Sequence, residues 1–220
     1  MVAAYCGAQL ALVLLLAGTV RLVPGPLVAR WSVRLVYDLS SLALLAAGLV
    51  VVRRSAPPGR GGEALARLWA WPGGWALALG AAAGIVLKYL AALLGALERP
   101  VFPQEGTNNP LILHPHSFAQ PMSLAILITA VAVVAPLAEE LFFRGMLYGW
   151  LRAHLGLFWA VLLASGVFGL AHQPLSLAPP LALIGAGLCL LYERWRSLWV
   201  PAAAHCAINI SALAIALRLH

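Results

Sequence analysis

The sequence predicts an all-α fold, a polytopic helical membrane protein with about seven transmembrane helices. Hydrophobic residues make up 63% of the 220 residues and charged residues only 10%, whereas soluble domains are about 45–50% apolar and about 25% charged. Apolar windows recur at the length of about 20 residues that a helix needs to cross a bilayer. The eight tryptophans fall near the ends of these windows, at the depth where indoles prefer the lipid headgroups.

The windows define the predicted elements in chain order. A backbone in lipid must satisfy its hydrogen bonds within each segment, so each window is expected to be a helix. The first window lacks a basic region before its apolar core, and we therefore interpret it as a retained helix and not a signal peptide. The windows are 3–20, 35–52, 74–97, 122–150, 157–173, 177–192 and 198–217.

The net charge of +7 comes mainly from arginines outside the windows, and Lys88 is the only lysine. Such a balance suits anionic lipid headgroups and gives no indication of nucleic-acid binding. The connections 53–67 and 193–196 are rich in arginine, so the positive-inside rule places them and the N-terminus in the cytoplasm, although Arg21, Arg30 and Arg34 would then lie outside. The bias toward alanine, leucine and arginine suggests a GC-rich bacterial genome. We therefore expect the protein to lie in a bacterial cytoplasmic membrane.

Polar residues divide the chain into two parts. The windows within residues 1–120 contain only two charged residues, Asp38 and Lys88, whereas the later windows contain the two glutamates Glu139 and Glu140 together with Arg144, His172, His205 and Asn209. We therefore expect residues 1–120 to form N-terminal transmembrane helices with their connecting loops, and residues 121–217 to form the functional core. The proline-rich segment 98–120 is interpreted as a stiff connector, with a lid or a substrate-access loop as the alternative.

Two adjacent glutamates interrupt one of the most apolar stretches, at Glu139 and Glu140. An ionisable group inside the hydrocarbon costs at least about 2.5–3.5 kcal/mol on insertion scales, so it usually serves a function. Arg144 lies four residues after Glu140 and shares its helix face, which predicts an ion pair. Glu139 points about 100° away. It therefore stays available as a reactive group and suits a general base.

Two further polar clusters lie on separate apolar windows. Phe168 and His172 form the spacing FxxxH, and His205 and Asn209 form HxxxN on one helix face. Imidazoles and a carboxamide bind a metal or stabilise an oxyanion, and with a glutamate to activate water they suit amide hydrolysis. Each cluster alone is often a packing feature, but their joint occurrence favours function. No serine or cysteine has a base partner, which disfavours a covalent nucleophile.

The motifs EExxxR, FxxxH and HxxxN, together with Phe143-Arg144-Gly145, resemble those of the CPBP family of CAAX-protease and bacteriocin-processing (Abi) intramembrane proteases. The resemblance covers residues 124–212, within the core 121–217. It implies a C-terminal catalytic bundle of helices around a polar cavity. The implied activity is that of a CAAX prenyl protease 2-like peptidase.

The resemblance also implies roles for the site residues. Glu139 would activate water with assistance from His172, while His205 and Asn209 would hold the oxyanion. The remaining motif residues complete the set, with Glu140 and Arg144 in the catalytic site and Phe143 and Phe168 as substrate-binding residues.

No cofactor is firmly implied, and zinc is the alternative. A catalytic zinc site would use Glu139, His172 and His205 and leave one position for water. We favour a metal-free glutamate mechanism because Glu140 is expected to be paired with Arg144 and because Asn209 is a poor zinc ligand.

The predicted function is an intramembrane endopeptidase that hydrolyses a peptide bond near the C-terminal tail of a membrane-associated protein or peptide. Two alternatives remain open: a proton-coupled transporter, since intramembrane His, Glu and Arg also build proton relays, and a non-catalytic peptide-binding immunity protein. No inverted repeat is detectable, and the polar residues are confined to one half of the chain, which weighs against the transporter.

Overall fold

The computed structural model describes residues 45–54, 57, 59–100, 121–172 and 175–218. Within these residues the protein is all-helical, as predicted, with seven helices and no strand. The predicted window 3–20 and most of the window 35–52 lie outside the described residues. The helices are α1 (45–54), α2 (Gly61–Leu68), α3 (Gly74–Glu98), α4 (from Pro121 to His154), α5 (Leu157–Leu170), α6 (Ala178–Trp195) and α7 (Trp199–Arg218).

Three helices of the described part are long and apolar enough to cross a membrane: Gly74–Glu98, Leu124–His154 and Trp199–Arg218. The protein is therefore an integral membrane protein, but the predicted count of seven spans is not confirmed. In the window 157–173 the helix α5 ends at Leu170 and has only 14 residues. The helix α6 has 18 residues, yet it begins with two prolines among its first three residues and ends with charged residues.

The helix α4 changes between α and π geometry along its length. The π segments are Ala130–Val134 and Leu141–Tyr148, and they flank a short α segment, Ala135–Glu140, that carries both glutamates. Such π turns are rare and are often found at functional sites. Pro136 lies in the short α segment and has no backbone N–H, so a regular helical hydrogen bond cannot form at that residue.

Two glycines bring α3 and α7 into close contact. A Cβ atom at Gly80 would lie 2.6 Å from the carbonyl oxygen of Val200, and one at Gly84 would overlap the carbonyl oxygen of Ala204. Small residues spaced four apart allow helix backbones to approach in membranes, where association depends on van der Waals packing. The contact fixes the backbone of α7 directly before His205.

The turn between α6 and α7 is attached to the end of α2. Carbonyl groups at a helix C-terminus have no partner within the helix and need donors from elsewhere. Three consecutive carbonyls accept such bonds, from Leu198 N to Leu68 O at 2.8 Å, from Trp199 Nε1 to Trp69 O at 2.9 Å and from Ser197 Oγ to Ala70 O at 2.6 Å. These bonds hold the start of α7 in place.

Glu193 joins the end of α6 to the end of α4. Its carboxylate accepts hydrogen bonds from Tyr148 Oη at 2.6 Å, Arg152 Nε at 3.2 Å and Arg196 NH2 at 2.7 Å. Burial raises the pKa of Glu193, but the bond from Tyr148 and the charges of Arg196 and Arg152 outweigh that effect. The pKa of Glu193 therefore lies below its ordinary value of 4.5.

A depressed pKa in the folded state gives stability that is present above the unfolded pKa and is lost as pH falls through the folded pKa. We therefore expect acidification below about pH 4.5 to weaken the junction between α4 and α6. Thermal unfolding of Glu193→Gln in detergent should depend less on pH in this range than unfolding of the wild type. Glu63→Gln, at an exposed carboxylate of α2, is the control. Parallel pH profiles for the wild type and Glu193→Gln would contradict the assignment.

Candidate active site

The segment Ala135–Glu140 presents its two carboxylates to different surroundings. Glu140 is completely buried, whereas the side chain of Glu139 is 23% exposed. The difference follows from the angle of about 100° between successive residues of a helix. One carboxylate thus belongs to the interior of the bundle, and the other can be reached from outside it.

The predicted ion pair between Glu140 and Arg144 is confirmed. Arg144 NH1 donates to Glu140 Oε1 at 2.9 Å, and both side chains are completely buried. Arg144 NH2 also donates to the carbonyl oxygen of Gly185 at 3.1 Å, on α6. A buried pair is stable only when further hydrogen bonds satisfy its remaining groups, and the Gly185 carbonyl supplies one of them. This acceptor could not be predicted from the sequence, because every residue has a backbone carbonyl.

His205 lies between the two glutamates. Its Nδ1 is 2.9 Å from Glu140 Oε1, and its Nε2 is 3.8 Å from Glu139 Oε2. Glu140 Oε1 already accepts a hydrogen bond from Arg144, so we assign Nδ1 of His205 as a second donor to this oxygen. Glu140 thus orients the imidazole, and the other ring nitrogen faces Glu139.

His172 reaches the same carboxylate oxygen from a different helix. It follows the end of α5, where its Nδ1 lies 2.7 Å from the carbonyl oxygen of Phe168, and its Nε2 is 3.8 Å from Glu139 Oε2. His172 stands at a helix end, whereas His205 lies six residues after the start of α7 at Trp199. His172 thus approaches Glu139 from the end of α5, and His205 approaches it from within α7.

The protonation of this cluster is constrained by its partners. A carbonyl oxygen only accepts, so Nδ1 of His172 carries a hydrogen, as does Nδ1 of His205. In two neutral imidazoles both Nε2 lone pairs would then face Glu139 Oε2, which is buried and has no hydrogen-bond partner among the described groups. Three acceptors around one point repel one another. The cluster therefore needs a shared proton, a donor molecule or a cation between these atoms.

The two phenylalanines of the motifs are buried behind the polar cluster. Phe168 is 1% exposed and Phe143 is 7% exposed, with ring centroids 5.0 Å apart. The Phe168 ring lies 4.7 Å from the ring of His172, 5.9 Å from that of His205 and 4.6 Å from the guanidinium carbon of Arg144. These contacts support the imidazoles and the guanidinium. Contact of either ring with a substrate stays a prediction.

Asn209 lies one helical turn beyond His205 on α7. Its Nδ2 donates to the carbonyl oxygen of Val131 at 2.8 Å, in the first π segment of α4. One of the two Nδ2 hydrogens is therefore used by the backbone of α4, and the second remains available. This backbone acceptor, too, could not be predicted from the sequence.

The residues fit a metal only in part. The Nδ1 of each imidazole is hydrogen-bonded to an oxygen. Histidines that bind a metal through one ring nitrogen usually bond their other ring nitrogen in this way. Across the described residues, however, no group of three or more His, Cys, Asp or Glu side chains is arranged to hold a metal ion. No step of the mechanism below is therefore assigned to a metal.

A carboxylate and two imidazoles meet within a bundle of apolar helices, and such groups can activate a water molecule. Residues 121–211 match the family described as "Type II CAAX prenyl endopeptidase Rce1-like". Over these residues the chain is similar to that endopeptidase family, in agreement with the resemblance of its three motifs to the CPBP family.

A curated relative agrees with this assignment. The chain is 29% identical over 126 residues to the "Putative membrane peptidase YdiL" of Bacillus subtilis (strain 168). The alignment covers 56% of this chain and 50% of that relative, so the chain matches about half the length of the relative. No solved structure matches the chain.

Proposed function

We propose that the protein is an intramembrane endopeptidase that cleaves a peptide bond near the C-terminal tail of a membrane-associated protein or peptide. The observation that carries this proposal is that Glu139 Oε2 lies 3.8 Å from Nε2 of both His172 and His205. Two atoms at this separation can both lie about 2.8 Å from one water oxygen, the usual hydrogen-bond length. A water molecule held in this way is the reactant of hydrolysis.

Glu139 is the general base of the proposed reaction. It accepts a proton from the water as the water oxygen attacks the carbonyl carbon of the substrate. Arg144 pairs with Glu140 and not with Glu139, so the Glu139 carboxylate remains available to accept the proton of the water. His172, with its ring fixed by the Phe168 carbonyl, orients the same water.

Attack on the carbonyl carbon creates an oxyanion, which His205 and Asn209 are placed to stabilise. Nδ1 of His205 is hydrogen-bonded to Glu140, so the ring donates to an oxyanion only when Nε2 also carries a hydrogen. Asn209 contributes the second hydrogen of its Nδ2. Removing one such donor typically costs about 10²–10³ in kcat.

Collapse of the tetrahedral intermediate completes the reaction. The carbon–nitrogen bond breaks, the proton held by Glu139 moves to the leaving nitrogen, and the products are a new carboxylate and a free amine. No atom of the protein forms a covalent bond to the substrate. Ser165, seven residues before His172, is buried and donates to Leu162 O at 3.1 Å, which agrees with a non-catalytic role for that hydroxyl.

The substrate is proposed from the surroundings of the site. Glu139 and His205 are on α4 and α7, and His172 follows the end of α5. The other side chains of these helices are mainly apolar, so a membrane-anchored chain is the substrate that can reach the site. Processing of the tail of an exported or lipid-linked protein in the bacterial cytoplasmic membrane follows as the proposed role.

Cleavage in proteoliposomes tests the proposal. The probe is a set of peptides anchored by one transmembrane helix and carrying varied C-terminal tails, with products identified by mass spectrometry. Cleavage in H₂¹⁸O should place one ¹⁸O atom in the new carboxylate, and added hydroxylamine should form no hydroxamate, because no acyl-enzyme exists. Tails that stay intact across the set, together with unchanged tails in a deletion strain, would overturn the proposal. Metal content and chelator sensitivity, measured on the same samples, decide whether a metal takes part.

A further inference from the structure

We infer that Asn209 is a positioning residue for α4, because it supplies the hydrogen bond that Pro136 denies to the carbonyl group of Val131. This inference assigns Asn209 a task beyond the proposed oxyanion site and links it to a proline outside the three motifs. It rests on the proposed function only for its effect on activity, since its effect on stability is independent of catalysis.

The hydrogen bonds of α4 identify the free carbonyl. In an α-helix the oxygen of Val131 would accept from the N–H of residue 135, and in a π-helix from that of residue 136. The N–H of Ala135 donates to the oxygen of Ala130, which is the π pattern. The next donor in that pattern belongs to Pro136, which has no N–H. The backbone therefore leaves Val131 O without its helical partner.

Asn209 fills this place. Its Nδ2 donates to Val131 O at 2.8 Å across the contact between α7 and α4. In the hydrocarbon region no water can satisfy a free carbonyl, and side chains of neighbouring helices compensate for prolines in membrane helices. Pro136 is completely buried. Proline and asparagine therefore form a matched pair, one removing a donor and the other replacing it.

The pair determines how Glu139 is presented. One extra residue in a π turn rotates all later side chains by about 100° relative to an uninterrupted α-helix. Glu139 is three residues after Pro136, so the direction of the Glu139 side chain depends on the π turn that contains Val131. Holding that turn to α7 fixes Glu139 relative to His205, which belongs to the same helix as Asn209.

A double-mutant cycle tests the inference. Pro136→Ala restores an N–H that can reach Val131 O in the π pattern, so it should make Asn209 less necessary. We expect Asn209→Ala in the wild-type background to lower Tm in detergent by about 2–4 °C and kcat by about 10²-fold or more. In the Pro136→Ala background both losses should be clearly smaller, although a part of the kcat loss remains from the missing oxyanion donor.

Ser211→Ala is the matched control on α7. Ser211 accepts a hydrogen bond from Lys88 of α3 at 2.8 Å. Its replacement by alanine therefore weakens the contact of α7 with α3 and not the contact of α7 with α4. Its effect on Tm should be the same with proline or alanine at residue 136. An interaction with residue 136 as large as that of Asn209 would overturn the inference, because it would show a general effect on α7.

The remaining outcomes are also decisive. Equal Tm losses for Asn209→Ala in both backgrounds would overturn the pairing of Asn209 with Pro136. A coupling in Tm without a coupling in kcat would overturn the positioning role. If Pro136→Ala does not fold, Asn209→Asp replaces it in the test. This variant keeps the size of the side chain but places an oxygen against Val131 O, so it should destabilise at least as much as Asn209→Ala, and a Tm equal to that of the wild type would contradict the inference.

Discussion

Replacing Glu139 by glutamine is expected to remove peptide cleavage while leaving the folded protein intact. The amide has nearly the shape of the carboxylate but cannot accept the proton of the attacking water. Loss of a general base typically costs about 10²–10⁴ in rate. The fold should tolerate the change because Glu139 is partly exposed and makes no ion pair with an arginine or lysine among the described residues.

The measurement is single-turnover cleavage of an anchored peptide in proteoliposomes, with Tm recorded on the same preparation. Glu63→Gln serves as the matched control, since that carboxylate is exposed on α2 and takes no part in the cluster. Cleavage by Glu139→Gln at the wild-type rate would refute the role of Glu139 as base. Survival of proton-coupled transport in the variant, with no cleavage by either protein, would favour the transporter.

Replacing Arg144 by alanine should reduce stability as well as activity. The change strands Glu140 as an uncompensated charge in a site where both partners are completely buried, and breaking such a pair typically costs about 3–5 kcal/mol. It also frees the Gly185 carbonyl and removes the cation from the face of the Phe168 ring. Activity should fall because Glu140 orients His205.

Three variants separate these effects in thermal unfolding. Arg144→Lys keeps the charge but not the planar fork that reaches Glu140 and Gly185 together, so it should recover only part of the stability. The double variant Glu140→Gln with Arg144→Met should be more stable than Arg144→Ala, because no charge is left unpaired. Arg152→Ala, whose ion pair is 35% exposed on the arginine side, should cost much less. An unchanged Tm for Arg144→Ala would speak against the pairing.

The sequence was sufficient for the class of protein and for the identity of its polar cluster. Composition alone predicts membrane helices, and helical spacing alone predicts the pair of Glu140 with Arg144, because these properties depend on residues close together in the chain. The number of spans was less predictable. Hydropathy measures how apolar a window is but not where a helix ends. It therefore could not predict that α5 stops after 14 residues.

The acceptors in the site were beyond sequence reasoning. The oxygens of Gly185 and Val131 receive hydrogen bonds from Arg144 and Asn209, yet every residue has such an oxygen. Pro136 was visible in the sequence as a residue without an N–H. Its partner on α7 was not, because the two lie 73 positions apart along the chain.

What the sequence determined by itself was the chemistry: which side chains can carry charge in the membrane, and which of them share a helix face. What only the tertiary structure decided was the meeting of Glu139, His172 and His205 at one oxygen atom. That meeting depends on where α4, α5 and α7 end and cross, and these positions are set by packing between helices distant in the chain, which no local pattern specifies.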